Sequence, residues 1–298
     1  MQQVIQCVPN FSEGRDQAVI EAIVNAVRNE PEVKVIDYSS DPDHNRMVLT
    51  LLGGPEDIRK AIFAAARKAI ELIDLRKHTG AHPRIGAVDV VPVVPIQDVT
   101  MADCIDLSYR IGHDLAEDLG IPVYYYERSA IKSHRVNLPD IRKGGFEHLV
   151  EEVELTGRHT PDLGPHRAHP TAGAVVVGAR GPLIAYNINL NFQDMEVARA
   201  IVRKIRSGEA DLEGVKSMSV WLAAKSMVQV SMNITRPDVT PLKEVFNFVQ
   251  AEAHSLGIEV VESEIIGAIR LNDLAGTSPQ ELKVVDFKDS QIIENWLK

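Results

Sequence analysis

The chain has 298 residues, 45% hydrophobic and 25% charged, and its 32 Lys and Arg against 42 Asp and Glu give a formal charge of −10. This is ordinary globular composition, and a chain this long buries about three quarters of its extended surface without needing a disulfide or a metal. Disorder, collagen and coiled coil are excluded as the main description. The acidic balance argues against a broad nucleic-acid or anionic-membrane surface, although a small anionic ligand needs only a local cluster of Arg, Lys and backbone N–H groups.

Val4–Val8 reads as a buried strand ended by Pro9-Asn10. Asp16 then caps a helix with Val19, Ile20, Ile23, Val24 and Val27 on one stripe. Val33–Tyr38 and Met47–Leu52 read as strands joined by the polar Ser39–Arg46 segment. Gly54-Pro55 opens a helix that turns Ile58, Ile62, Ala65, Ala69, Leu72 and Ile73 inward, Pro being favourable at the first helical position. Ala87–Val94 is the next strand, so the order is βαββαβ. A helix over Met101–Leu119 follows, with Thr100 as cap and Gly120 as stop; then a strand over Ile121–Tyr126 and a mixed polar segment to about Thr171. Gly173–Val177 is expected to pair with Leu183–Leu190 across the Ala179–Pro182 turn. From Leu183 the order repeats. A helix runs from Asp194 through Val197, Ile201 and Ile205 to Gly208. Val215–Leu222 and Met227–Ile234 form a hairpin across Ala223–Ser226. Thr240-Pro241 begins a helix through Val245, Phe246, Val249, Ala253 and Leu256 to Gly257, and Ile258–Ile265 closes the unit. The expected fold class is α+β: two ferredoxin-like βαββαβ subdomains from an internal duplication, over residues 1–179 and 180–298.

Cys7 and Cys104 sit among apolar neighbours and read as buried reduced thiols. The amino terminus has no basic region followed by an apolar run, and no stretch approaches the roughly 20 apolar residues that cross a bilayer. The expected setting is the cytoplasm.

The most informative stretch is His78-Thr79-Gly80-Ala81-His82-Pro83-Arg84-Ile85-Gly86-Ala87. It puts two imidazoles and a guanidinium on a Gly/Pro-rich loop before a strand, a place where function concentrates. An uncharged imidazole takes a proton near neutral pH, and glycines let backbone approach a ligand. The same stretch also reads as a turn whose histidines cap a helix end and face water. A zinc pair of His78 and His82 is a weaker reading: the i,i+4 motif needs a continuous helix and a Glu, and Gly80 and Pro83 oppose the helix. No metal is expected. His82-Pro83-x-x-Gly86-Ala87-Val88 is echoed as His169-Pro170-x-x-Gly173-Ala174-Val175; either the two copies line one cleft or one strand-entry turn is used twice. Asp41–Arg46 is a solvated turn or an Arg fork for a carboxylate. Val8–Arg15 is a helix cap or a polar ligand contact at a helix N-terminus.

Together these blocks resemble the glutamate formimidoyltransferase (formiminotransferase) family. The matching residues are Cys7–Gly14, Asn45-Arg46, the His78–Gly86 loop with Ala87, Asp89 and Val90, and Pro122-Val123-Tyr124. Further on they are Leu138-Pro139-x-Ile141-Arg142, Asp162-x-Gly164-Pro165, Gly178-Ala179-Arg180 and Ala185-x-Asn187-Ile188-Asn189-Leu190. The resemblance covers the chain end to end, and its length fits the transferase alone. It implies transfer of a formimino group from N-formimino-L-glutamate to N5 of tetrahydrofolate, late in histidine degradation, with tetrahydrofolate as co-substrate. It implies two ferredoxin-like subdomains, in agreement with the double βαββαβ order. It places the catalytic base at His82 and folate binding over Leu163, Gly164, Pro165, His166, Arg167, Ala168, His169, Pro170, Thr171 and Ala172. Substrate contacts are expected from Asn10, Asp37, Asn45, Arg46, His78, Gly80, Arg84 and Arg180. Of these, Arg46, Arg84 and Arg180 suit carboxylates, and Asp37 and Asn10 suit the amidinium. The expected partners are these small molecules and a second copy of the chain in a homodimer, without nucleic acid or membrane. Two alternatives share the scaffold: an N-formyl donor with 5-formyltetrahydrofolate, and a non-catalytic folate-binding protein.

Overall fold

The structure, a computed structural model, describes residues 3–297 apart from 153 and 224. It divides into two compact units, Met1–Gly181 and Pro182–Lys298.

In the first unit, β1 (Val4–Cys7) and β2 (Asn10–Phe11) are two halves of one strand, interrupted at Val8-Pro9. Both halves lie between the same neighbours. Pro9 has no N–H for the ladder, but its carbonyl still accepts from Leu49 N at 3.0 Å. α1 (Gln17–Arg28) begins at Asp16, whose carboxylate accepts the N–H groups of Ala18 and Val19. Then come β3 (Lys34–Asp41), β4 (Arg46–Gly53), α2 (Pro55–Leu72) and β5 (Val88–Gln97). α3 (Met101–Leu119) has a Thr100–Asp103 capping box and ends at Gly120, whose φ of 63° is easy only without a Cβ. β6 (Val123–Tyr125), α4 (Leu138–Ile141), α5 (Gly145–Glu151) and β7 (Val175–Ala179) complete the unit.

Across the sheet the order is β3, β4, the β1/β2 strand, β5, β7, β6. The first four are antiparallel, while β5, β7 and β6 are mutually parallel. Counted within the βαββαβ run and read from β5 back to β3, the antiparallel strands stand fourth, first, third, second.

The expected pairing of Gly173–Val177 with Leu183–Leu190 is not what forms. β7 pairs with β5 on one side and β6 on the other, so neither edge is left for a hairpin. Its continuous Val175-Val176-Val177 run, buried on both faces, is the pattern of an interior parallel strand. Alternate residues of this part of the sheet enter different cores. Val91, Val123, Val175 and Val177 join the main core with α1, α2 and α3. Val90, Tyr124 and Val176 face the other way, against Leu149, Leu155 and Ala168. The stretch read as a polar segment therefore builds a second layer over the back of the sheet.

That layer is pinned by an ion pair between Arg135 and Asp162 at 2.5 Å, with side chains 2% and 1% exposed. Asp162 Oδ2 also accepts from Tyr125 N at 2.8 Å, and the Arg135 guanidinium lies 4.8 Å from the Tyr124 ring centre.

The second unit holds β8 (Ile184–Leu190), α6 (Met195–Ser207), β9 (Val215–Leu222), β10 (Met227–Ile234), α7 (Leu242–Ser255) and β11 (Val260–Ile266). Its sheet order is β11, β8, β10, β9, again fourth, first, third, second. β9 and β10 pair from Val215↔Ile234 to Leu222↔Met227 as the alternation predicts; of the expected turn, Ala224 lies outside the described residues. Leu72, expected inward, is 40% exposed, and Leu256, expected within the last helix, is 51% exposed. Leu72 is the last residue of α2, and Leu256 follows the last residue of α7. Ile73 is buried immediately after α2. Among the described residues no helix is long and apolar enough to cross a membrane.

Candidate active site

The echo between the two His-Pro motifs is a spatial one. Gly86 and Gly173 form a β-bridge at the entrances of the neighbouring parallel strands β5 and β7. Ala87 N donates to Ala172 O at 2.9 Å and Ala174 N to Ile85 O at 3.0 Å. A Cβ on Gly86 would lie 1.9 Å from Ala174 O, and one on Gly173, where φ is +69°, 2.0 Å from Ile85 O. The backbones touch only because both positions are glycine. Gly86→Ala is expected to destabilise the chain by about 1–3 kcal/mol, read as a lower urea midpoint at unchanged m; an unchanged midpoint would show that the two loops separate freely. This joint brings the His82 loop and the Leu163–Ala172 stretch to one end of the sheet.

β2 and β4 deliver their residues to the same end, since Phe11 pairs with both Met47 and Val88. Arg46 Nη1 donates to Asn10 Oδ1 at 3.1 Å and to His82 Nε2 at 3.0 Å. An arginine has no acceptor, so His82 Nε2 carries a lone pair and the ring proton is on Nδ1. The His44 ring stacks 6.2 Å from His82. Arg46 and His82 are both part-buried, with an edge reachable from solvent. Burial, then Arg46, then Arg142 and His44 hold the His82 imidazole far below its ordinary pKa, so the ring is neutral. Burial and the neighbouring Arg142 likewise lower Arg46 to about 10. No described carboxylate forms an ion pair with Arg46; Asp89 and Asp41 act on it only through space.

The other candidates are otherwise engaged. His78 Nε2 donates to Asn45 O at 2.8 Å, which ties the loop to the β3–β4 turn. Asn45, at φ 49°, completes that clamp: Oδ1 accepts from Gly14 N at 2.8 Å and Nδ2 donates to Thr79 O at 3.0 Å. Gly80 sits where a Cβ would meet His44 O at 2.3 Å. Arg84 has its fork filled, donating to Glu147 Oε1 at 2.7 Å, Oε2 at 3.2 Å and His78 O at 3.1 Å. Its hydrogen bonds hold the Glu147 carboxyl below the usual range. His169 Nδ1 accepts from Ala172 N at 3.0 Å and so shapes its own turn. His166 and Arg167 are exposed in the same stretch, and Leu163 O accepts from Val123 N at 3.0 Å.

Two expected contacts stand away from this group. Arg180 follows the far end of β7, about 16 Å along the strand, where its guanidinium meets Tyr126 and Gly181 O. Asp37 pairs with Thr50, four residues along β4 from Arg46.

Sequence reasoning missed the pair that supports the cluster. Asp89 Oδ1 accepts from Ile85 N at 2.9 Å and Oδ2 pairs with Arg142, the two side chains 2% and 10% exposed. The signal was present: an acid inside an apolar parallel strand implies an internal partner. His44, 7% exposed, was also passed over. Elsewhere His148, Glu152 and His159 bring donor atoms within 4.8 Å of one another. There Glu152 Oε1 lies 2.5 Å from His159 Nδ1 and 3.4 Å from His148 Nε2, so one carboxylate serves both rings.

The arrangement offers the uncharged His82 imidazole with its Nε2 lone pair, a guanidinium without an ion-paired acid among the described residues, and a loop joined to the His82 loop through Gly86. It suits proton transfer on an anionic substrate. Comparison with known proteins gives this a family. The formiminotransferase domain, N-terminal subdomain, matches residues 4–180, and the formiminotransferase domain matches 185–285. The chain is 40% identical over 298 residues to the glutamate formimidoyltransferase of Streptococcus pyogenes serotype M1, covering 100% of this chain and 99% of that one. It is 39% identical over 292 residues to the enzyme of the same name from Thermoplasma acidophilum, covering 98% and 96%. It is 40% identical over 280 residues to formimidoyltransferase-cyclodeaminase of Sus scrofa, covering 92% of this chain and 51% of the pig protein. The chain belongs to the formiminotransferase family.

Proposed function

We propose that this chain is a glutamate formimidoyltransferase, which moves the formimino group of N-formimino-L-glutamate to N5 of tetrahydrofolate and releases L-glutamate. Its identity along the whole length with relatives of that name supports the reaction. The observation that carries the mechanism is the lone pair of His82 Nε2 beside a guanidinium with no acid of its own. N5 attacks the amidine carbon and a tetrahedral centre forms. His82 takes the proton that N5 must lose and returns it to the departing glutamate nitrogen. Folate is assigned to Leu163–Ala172; the bond from Ala87 N to Ala172 O, which ties the end of that stretch to the strand entered by the His82 loop, supports this. Arg46 takes a substrate carboxylate; Asn10 and the Asn45–His78–Gly80 clamp hold the surrounding loops. Repetition of one strand order in the two units supports their reading as ferredoxin-like copies from a duplication.

Incubation with tetrahydrofolate and either N-formimino- or N-formyl-L-glutamate, followed by the folate spectrum, tests this. Transfer from the formimino donor is expected; transfer from the formyl donor alone would reassign the reaction, and no transfer with tight folate binding would make the chain a binding protein. Arg46→Ala is expected to weaken the carboxylate-bearing substrate by about 1.5–3 kcal/mol, which is about 10- to 150-fold in KM. Unchanged KM for both substrates would remove Arg46 from binding.

A further inference from the structure

Nε2 of His82 is at once the basic nitrogen and a blocked one. It receives Arg46 Nη1 at 3.0 Å, so the lone pair needed by the N5 proton is occupied by a donor that cannot give it back. The other polar partner of Arg46 is the neutral Asn10 Oδ1. The guanidinium is therefore held between an amide and an imidazole, where a carboxylate would bind it better. The charged and titratable groups around His82 are Arg46 from β4, His44 from the β3–β4 turn and Arg142 from the end of α4; Arg142 is already paired with Asp89. Of the two arginines, Arg142 already has a carboxylate and Arg46 has none among the described residues. It also stands at the solvent-reachable edge of the cluster.

We propose that Arg46 determines specificity by covering the base: a carboxylate of the substrate draws its guanidinium off His82 Nε2, and a donor without that carboxylate leaves the base covered. This rests on His82 as the base of the transfer and states what uncovers it. The carboxylate accepts two N–H bonds from the planar fork and the Arg46–His82 hydrogen bond breaks. The positive charge facing the imidazole is neutralised in the same event, which raises the ring's proton affinity. N5 then forms its bond to the amidine carbon as its proton passes to Nε2. When the carbon–nitrogen bond to glutamate breaks, its electron pair stays on that nitrogen and the proton returns there. The sequence is neutral in protons and electrons and needs no third reactant. A part of the donor remote from the reacting carbon thus contributes to kcat and not only to KM.

The test uses the full chain labelled with 15N-histidine, its His82 ring signals identified by their loss in His82→Gln. Glutarate is the probe, with chloride at equal ionic strength as control. The protein alone should show a neutral ring with Nε2 unprotonated. Glutarate should raise its proton affinity by about tenfold or more. In Arg46→Gln, His82 should already be more basic and should ignore glutarate; Arg46→Met replaces that variant if it does not fold. In parallel, formamidine, an amidine without a carboxylate, should transfer to tetrahydrofolate about tenfold or more faster when glutarate is added, and Arg46→Gln should lose that activation. A His82 ring that glutarate leaves unchanged overturns the proposal, as does an Arg46→Gln protein whose His82 is no more basic. Failure of the assigned reaction looks different: no transfer from N-formimino-L-glutamate, while His82 still answers glutarate, removes the reaction and keeps Arg46 as a carboxylate-operated cover.

Discussion

His82→Gln is expected to lower turnover by roughly 10²–10⁴-fold, the scale of a positioned acid–base group, while tetrahydrofolate affinity changes little. Glutamine keeps much of the volume and an acceptor for Arg46, but it cannot take and return a proton. The loss therefore falls on the transition state rather than on binding. Competition from other histidines is limited by their hydrogen bonds. His78 spends Nε2–H on Asn45 O and its remaining Nδ1 is buried, while His169 spends its Nδ1 lone pair on Ala172 N. His78→Gln is accordingly expected to cost less, through a looser loop. Folate affinity by titration and single-turnover rates on folded, purified variants separate these effects. Near-normal turnover in His82→Gln, or inactivity confined to His78→Gln, would move the base elsewhere.

Breaking the Arg135–Asp162 pair is expected to produce the largest loss of stability. Both side chains are almost wholly buried, and Asp162 also accepts from Tyr125 N. Asp162→Asn preserves shape and leaves a buried guanidinium facing a neutral amide. Removing one partner of such a pair costs about 3–5 kcal/mol. The double variant Arg135→Met with Asp162→Asn should cost less than the two single losses added together, because no orphan charge remains. Urea unfolding of the four proteins measures this cycle, and additive losses would show that the two residues act independently. A second consequence lies in binding. Asp162 immediately precedes Leu163, whose carbonyl is held by Val123 N, so Asp162→Asn should also weaken folate.

Legibility followed the range of the determining forces. α3 begins and ends where Thr100 and Gly120 say it should, because capping is decided within a turn of helix. β9 and β10 follow from alternation and a short connection. β7 was assigned the wrong partner because a nearby turn outranked a parallel neighbour reached only through α3 and the second layer. The second layer itself looked like loop, since its elements are short and its anchors, Arg135 and Asp162, are polar residues that a hydrophobic pattern ignores. In the site, the His82 loop and Arg46 were visible as residue types on turns. What composition could not show was which charges were spent. Arg84 and Arg46 look equivalent in sequence, yet Glu147 fills one fork and no described acid fills the other. Asp89 and Arg142 find each other across more than fifty residues, a distance at which spacing carries no information.

The bridge between Gly86 and Gly173 makes the histidine loop non-portable. Its curvature is set by backbone that arrives much later in the chain, so the ten residues from His78 to Ala87 grafted onto another scaffold would lack the surface that bends them. Redesign of substrate preference therefore has two segments to alter together, and length changes in either one must leave the paired glycines in register. Within the proposed folate loop the exposed Pro165, His166 and Arg167 are the positions open to substitution, whereas Gly164, where a Cβ would lie 2.8 Å from Ile121 O, and the buried Ala168 and Ala172 are not.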